Sequence, residues 1–187
     1  LAGHRNMEGE RAFVQELPAV KGGKKLLKDQ DDIAYRYSVG GDFKVSRGWE
    51  PLGPCGPYDS FGPELSFGAA LVKGRVKDVA IAKFTHSGSQ IIDWTPDGSV
   101  AVTRNLYPRF IEFVEASIKE LRSKGYRVDL EGVFYHVGEN DMSFGPFRRG
   151  AAQRIGQLVE ASRKDLKEKN LRWFISQQPP TDHEDVN

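Results

Sequence analysis

Hydrophobic and polar positions change period repeatedly along this chain. Residues 79–84 (Val-Ala-Ile-Ala-Lys-Phe) form an apolar run too short for a helix and suited to a strand covered on both faces. Residues 133–137 (Val-Phe-Tyr-His-Val) read the same way, and 171–176 predict a last strand. Between these runs the period lengthens. Over 106–124, Phe110, Phe113, Val114, Ser117, Ile118 and Leu121 fall on one helical stripe, and Gly125 caps the end. Residues 147–169 predict a second long helix, with Ala151, Ile155, Leu158, Val159, Ser162 and Leu166 inward. Alternating strand and helix predict an α/β fold with a parallel sheet.

The first third of the chain is less regular. Residues 10–17 suit a short helix ended by Pro18, and the basic run 20–28 suits a solvated loop. Residues 33–39 alternate like a strand, and Gly40-Gly41-Asp42 turns into 43–45. This predicts a small hairpin laid over the main sheet, within an insertion of about 33–61 in a single domain spanning 1–187. Residues 49–61 are rich in Gly and Pro and predict an irregular loop. Its aromatics, Trp49, Tyr58 and Phe61, either pin the loop down or form a wall against a sugar face. Gly62 to Gly68 then opens a helix, with Pro63 suited to its first turn and Glu64 to the positive end of its dipole. Leu65, Ala69 and Val72 share a face there. At the other end, Gln177 to Pro180 terminate the last strand, and 181–187 read as a polar tail.

Composition narrows the function classes. A net charge of +1 gives no electrostatic case for nucleic acid or for an acidic membrane surface. No apolar run approaches the roughly 18 residues of a membrane span. The single cysteine, Cys55, excludes an internal disulfide.

The candidate chemistry begins at the first residues, Leu1-Ala2-Gly3-His4-Arg5-Asn6-Met7-Glu8-Gly9. An apolar start followed by Gly-x-x-Asn-x-x-Gly reads as a buried strand end and a tight turn. In α/β sheets, turns at the carboxyl ends of strands bind ligands and present nucleophiles. The apex here carries Arg5, whose guanidinium stays protonated and is no nucleophile.

The block Gly3 to Gly9 resembles the first block of the sialate O-acetylesterase-like carbohydrate esterases of the SGNH hydrolase superfamily. That block usually reads Gly-Gln-Ser-Asn-Met-x-Gly, with Ser as nucleophile. Gly3, Asn6, Met7 and Gly9 match, His4 stands where Gln is expected, and Arg5 stands on the nucleophile. The Trp-x-Pro-Leu and Phe-Gly-Pro-Glu pattern of 49–64 is similar to the same family. His86-Ser87-Gly88-Ser89 falls where the family has a Gly-Gly-Thr-like oxyanion turn, and Gly88 matches. Gly138-Glu139-Asn140-Asp141 resembles the block Gln-Gly-Glu-Ser-Asp, with Val137 in place of the Gln that donates to the oxyanion. The resemblance implies a flavodoxin-like three-layer α/β/α fold with strand order 2-1-3-4-5. In that order the strand before Gly3 is central, between the 79–84 and 133–137 strands. Both that strand and the last one of the sheet are then expected to be clipped. The family's Asp-x-x-His, which supplies the base, falls after one more strand; the only late pair here is the adjacent Asp182-His183.

The family's chemistry passes through an acyl-enzyme whose oxyanion is held by N–H groups and the Gln amide. With Arg5 and Val137 in place, the resemblance implies a domain degenerate as a serine esterase, keeping a pocket for an acetylated carbohydrate or a small anion. Its expected pocket residues are His4, Asn6 and Glu139, and its expected binding residues Arg5, Ser87, Gly88, Ser89, Gly138 and Glu139. Arg5 either pairs with Glu139 or holds an anion with nearby N–H groups. The alternative is an acetyl-ester hydrolase of altered arrangement, using His4, Ser87 or Ser89. His4, His86 and His136 lack metal-ligand spacing, and neither a metal nor a cofactor is expected.

Overall fold

The computed structural model describes residues 1–28, 30–99 and 101–176. The readings made above for 177–187, including Asp182-His183, lie outside the described residues. Contacts within the chain divide it into two compact units, Leu1–Ser87 and Gly88–Asn187.

The first unit opens with β1 (Ala2–Gly3), followed at once by the single-turn helix α1 (Arg5–Glu8). Gly9 ends that turn in the left-handed region at φ 91°, and its N–H donates to the Arg5 carbonyl at 2.9 Å. The helix expected over 10–17 is instead a 3₁₀ helix at Val14–Ala19 that contains Pro18. Its hydrogen bonds run from the Glu16 N–H to Phe13 O and from the Val20 N–H to Leu17 O, so neither calls on the N–H that Pro18 lacks. The basic loop contains one helical turn, α2 (Gly23–Leu26), whose leucine joins Leu27 against the core.

β2 (Gln30–Val39) corrects the expected hairpin. It does form an antiparallel pair with β3 (Lys44–Val45), and another with β4 (Glu50–Leu52). Yet β2 also runs parallel to β5 (Val79–Thr85) from Ile33↔Val79 to Ser38↔Phe84. It is therefore a strand of the sheet, not a layer over it. Its alternation is clean: Ile33, Tyr35, Tyr37 and Val39 are all buried, and they join Leu17, Leu52, Leu65 and Ile81 in one apolar cluster. β1 continues the sheet on the other side of β5, with Ala2↔Phe84 and Gly3↔Thr85 in register. Helix α3 (Glu64–Lys73) buries Glu64, Leu65 and Gly68, whereas Val72, expected on that face, is 39% exposed.

Within β5, Lys83 is fully buried, and a charge there requires a partner. Its Nζ lies 2.7 Å from Glu64 Oε2 and donates to the Glu8 carbonyl at 3.1 Å. Glu64 Oε1 accepts the Gly62 N–H at 2.9 Å and lies 3.8 Å from the Cys55 thiol. Cys55 Sγ in turn is 2.7 Å from the Tyr35 hydroxyl. Burial pushes the Cys55 thiol up to about 11.

The second unit carries α4 (Tyr107–Ser123), β6 (Gly132–His136), α5 (Glu139–Met142), α6 (Gly145–Asp165) and β7 (Arg172–Ile175). β6 and β7 pair in parallel from Gly132↔Arg172 to Tyr135↔Ile175. The α4 stripe buries Phe110, Val114, Ser117 and Leu121 as the periodicity predicts, and α6 buries Leu158 and Ser162. The core of this unit is aromatic: Trp94 meets Tyr135 edge-on at 5.5 Å and Phe110 at 6.0 Å.

Removing one partner of the Lys83–Glu64 pair strands a buried charge. Lys83→Met is expected to cost about 3–5 kcal/mol in denaturant unfolding. Combining it with Glu64→Gln is expected to cost clearly less than the sum of the two single changes; strict additivity would show that the pair is not coupled. Cys55 is expected to resist alkylation by iodoacetamide in the folded protein at pH 8 and to react once unfolded.

Candidate functional site

The expected site residues fall in both units, and each set is built by its own strands. In the first unit, β1 delivers the chain to His4, which is 2% exposed and whose carbonyl accepts the Glu8 N–H at 2.9 Å. Arg5 follows as the first residue of α1, with Asn6 exposed beside it. The acid at Arg5 is Glu10: Arg5 Nε lies 3.0 Å from Glu10 Oε2, with the side chains 43% and 29% exposed. A pair this exposed contributes at most about 1 kcal/mol, so it orients the guanidinium more than it stabilises the fold. The same Glu10 oxygen accepts the Ser87 hydroxyl at 2.5 Å. Ser87 lies just past β5, and half-buried His86 sets its Nδ1 2.9 Å from the Ser87 carbonyl. Arg5, Glu10 and Ser87 thus form one cluster beyond the carboxyl ends of β1 and β5.

In the second unit, Gly88 has φ 72°, and a Cβ there would meet nothing within 4 Å, so its backbone faces open space. Its carbonyl accepts from Arg104 at 2.5 Å, and Arg104 is also paired with Asp93 at 2.8 Å. Ser89 is fully buried. Its Oγ accepts the Trp94 indole N–H at 3.0 Å, and its carbonyl accepts from the Asn140 amide at 3.2 Å. The Ser89 hydroxyl is therefore engaged in holding the turn.

Gly138, at φ 141°, leads from β6 into α5 in a backbone region that favours glycine. Glu139 Oε1 lies 2.8 Å from His136 Nε2, both side chains being roughly a third exposed. Val137 is buried. Asp141 is 1% exposed, and both its oxygens face the Ile91 N–H, at 3.1 and 3.3 Å. Burial raises its carboxyl from 3.8 to about 6, against the opposing effect of the Ile91 hydrogen bond. Among the described residues, no three His, Cys, Asp or Glu side chains gather as a metal set, and no helix is long and apolar enough to cross a membrane.

Sequence reading missed Glu10, the residue that meets both Arg5 and Ser87. Its signal was faint, an acid five residues after Arg5 in a segment expected to be helical. It also treated Glu64 as a dipole partner. The lone Lys83 in an apolar strand was the clue that an acid had to be buried with it.

The structure and the sequence agree on a class: an α/β protein with a mostly parallel sheet. The family model for "carbohydrate esterase, sialic acid-specific acetylesterase" matches residues 1–185, and this chain belongs to that family. Two solved structures share the fold. One is a protein from Arabidopsis thaliana, with TM-score 0.67 and 18% identity, over 95% of this chain and 72% of that one. The other is a carbohydrate acetylesterase from Xanthomonas citri, with TM-score 0.63 and 14% identity, over 94% of this chain and 40% of that one. The chain thus spans two fifths of the Xanthomonas enzyme's length. No curated protein sequence matches it. At these identities the likeness is one of fold, a mixed α/β arrangement with a mostly parallel sheet.

Asp141 gives this site a pH signature. Its folded pKa lies above its unfolded value, so the unfolded state binds fewer protons between about pH 4 and 6. Stability from this group is present below pH 4 and is lost as pH rises through 6, by on the order of 2 kcal/mol. Asp141→Asn is expected to flatten that slope in urea unfolding between pH 4 and 7; an unchanged slope would assign it elsewhere.

Proposed function

We propose that this chain is a carbohydrate-binding member of the acetylesterase family in which serine-esterase chemistry has been lost at the turn after β1. The observation that carries this reading is Arg5: it opens α1 at the end of β1, and its Nε sits 3.0 Å from Glu10. By the motif resemblance, this is the nucleophile's position. A guanidinium can bind a carboxylate or an ester carbonyl but cannot attack one. Val137, buried and apolar, stands where the family has the Gln amide, so a second catalytic donor is replaced by a group that cannot donate.

What is kept suits binding. Arg5 is 43% exposed and can meet an anionic sugar or an acetyl oxygen. In the second unit, taken by itself, Gly88 offers an open backbone. Asn6 is exposed beside Arg5, and His4 is buried beneath the turn. Ser89 contributes by shaping the Gly88 turn, since its own hydroxyl is bonded to Trp94.

One observation favours a second reading. The half-buried Ser87 hydroxyl donates to Glu10, the arrangement of a nucleophile beside a base. The same Glu10 oxygen is also held by Arg5 at 3.0 Å, however, and a carboxylate is a poor base for a serine hydroxyl. A residual hydrolase would run through Ser87.

Acetyl-ester hydrolysis by the full-length protein separates the readings. The natural protein is expected to be inactive with 4-nitrophenyl acetate above the uncatalysed rate, and Arg5→Ser to gain measurable turnover. Activity that is indifferent to Arg5→Ser and abolished by Ser87→Ala would overturn the proposal in favour of the second reading.

A further inference from the structure

Two large aromatic side chains of the first unit stand out in solvent. Phe43 is 66% exposed and Tyr58 is 74% exposed, with ring centroids 5.9 Å apart and planes tilted by 39°. Neither contributes to the core cluster. Both stand beside backbone in the left-handed region. Tyr58 and Asp59 are consecutive non-glycine residues in the left-handed region, at φ 56° and 57°. Phe43 follows three left-handed residues in a row, Gly40, Gly41 and Asp42, at φ 66°, 65° and 73°.

Each loop is fixed by several hydrogen bonds. The Gly56 N–H donates to the Ser60 carbonyl at 2.8 Å, and the Ser60 hydroxyl donates to the Pro57 carbonyl. The Val14 N–H reaches Asp59 O at 3.0 Å, and the Phe61 N–H reaches Ala12 O at 2.9 Å. In the other loop, the Gly40 N–H donates to Glu8 Oε2 at 3.0 Å and the Gly41 N–H to Thr85 O at 3.2 Å. The Ser38 hydroxyl donates to Asp42 Oδ1 at 2.5 Å. Glu8 belongs to α1, and Ala12 and Val14 follow it closely. Both loops are therefore tied to the segment that begins at Arg5.

We propose that the Phe43–Tyr58 pair is a carbohydrate-stacking platform that holds a pyranose ring beside the Arg5 turn. It rests on the carbohydrate-binding reading above and adds a subsite to it. The C–H face of a pyranose is apolar and weakly acidic, and it matches the electron-rich face of an aromatic ring. The hydroxyls around its rim need polar partners. The exposed Asp42, Lys44 and Asp59 flank the rings in sequence and supply them. Two rings rimmed by charges are too small a patch for a stable protein interface, which needs on the order of 1,000 Å². Rigid loops remove the entropic cost of ordering the rings on binding.

Calorimetric titration of the full-length protein tests this with two probes, O-acetylated N-acetylneuraminic acid and a neutral O-acetylated cello-oligosaccharide. Tyr58→Ala and Phe43→Ala are each expected to weaken the bound probe by about five- to tenfold, because the ring meets the sugar rather than its charge. Thermal unfolding should barely move, since both side chains are exposed, and Tyr126→Ala, at another exposed aromatic, should leave affinity unchanged. Affinity that survives the Phe43→Ala/Tyr58→Ala double change but falls in Arg5→Ala overturns the platform and leaves carbohydrate binding at the turn intact. A natural protein that binds neither probe overturns both.

Discussion

The first unit depends on a pair of charges with no water around them. Lys83 and Glu64 are both fully buried, and the cost of desolvating them is offset only because each finds further partners. Lys83 reaches the Glu8 carbonyl at the end of α1; Glu64 receives the Gly62 N–H from the loop before α3. One buried contact therefore fastens strand β5, helix α3, the turn carrying Arg5 and the end of the loop carrying Tyr58. The glycines at this point follow from the crowding. A Cβ on Gly62 would lie 2.8 Å from Lys83 Nζ, and one on Gly9 would lie 2.0 Å from the Phe61 carbonyl oxygen. Both turns close only where no side chain intervenes.

That arrangement separates scaffold from chemistry. The residues that hold the turns (Gly9, Gly62, Glu64 and Lys83 in one unit; Ser89, Trp94 and Asp141 in the other) sit beneath the surface and bond to backbone or to one another. The residues that would face a ligand stand on top of them. A charged residue at such an apex needs no change beneath it, provided that it has a counterion, and Glu10 supplies one for Arg5. Membership of a family accordingly fixes the scaffold of this chain more firmly than its reaction.

Much of the fold was legible because burial on both faces writes a simple pattern. Val79–Thr85, Gly132–His136 and the Phe110–Leu121 stripe were readable from periodicity alone. The role of β2 was not. Its alternation of Ile33, Tyr35, Tyr37 and Val39 is what a hairpin over a sheet would also show, and only the ladder to β5 distinguishes the two. Pro18 read as a helix stop because α-helices exclude it, whereas a 3₁₀ turn accommodates it. In the candidate site, the motif positions were legible but their partners were not. Glu10 for Arg5, His136 for Glu139 and Trp94 for Ser89 are contacts between side chains, and spacing along the chain does not encode them.

Whether the chain carries an activated serine is the point on which the functional reading turns, and a covalent probe examines it without any choice of substrate. Full-length protein would be incubated with diisopropyl fluorophosphate, which phosphorylates activated serines, and its intact mass measured. An unchanged mass is the expected result. A stoichiometric adduct, mapped to Ser87 or to any other serine, would contradict it and return the chain to the working esterases of its family.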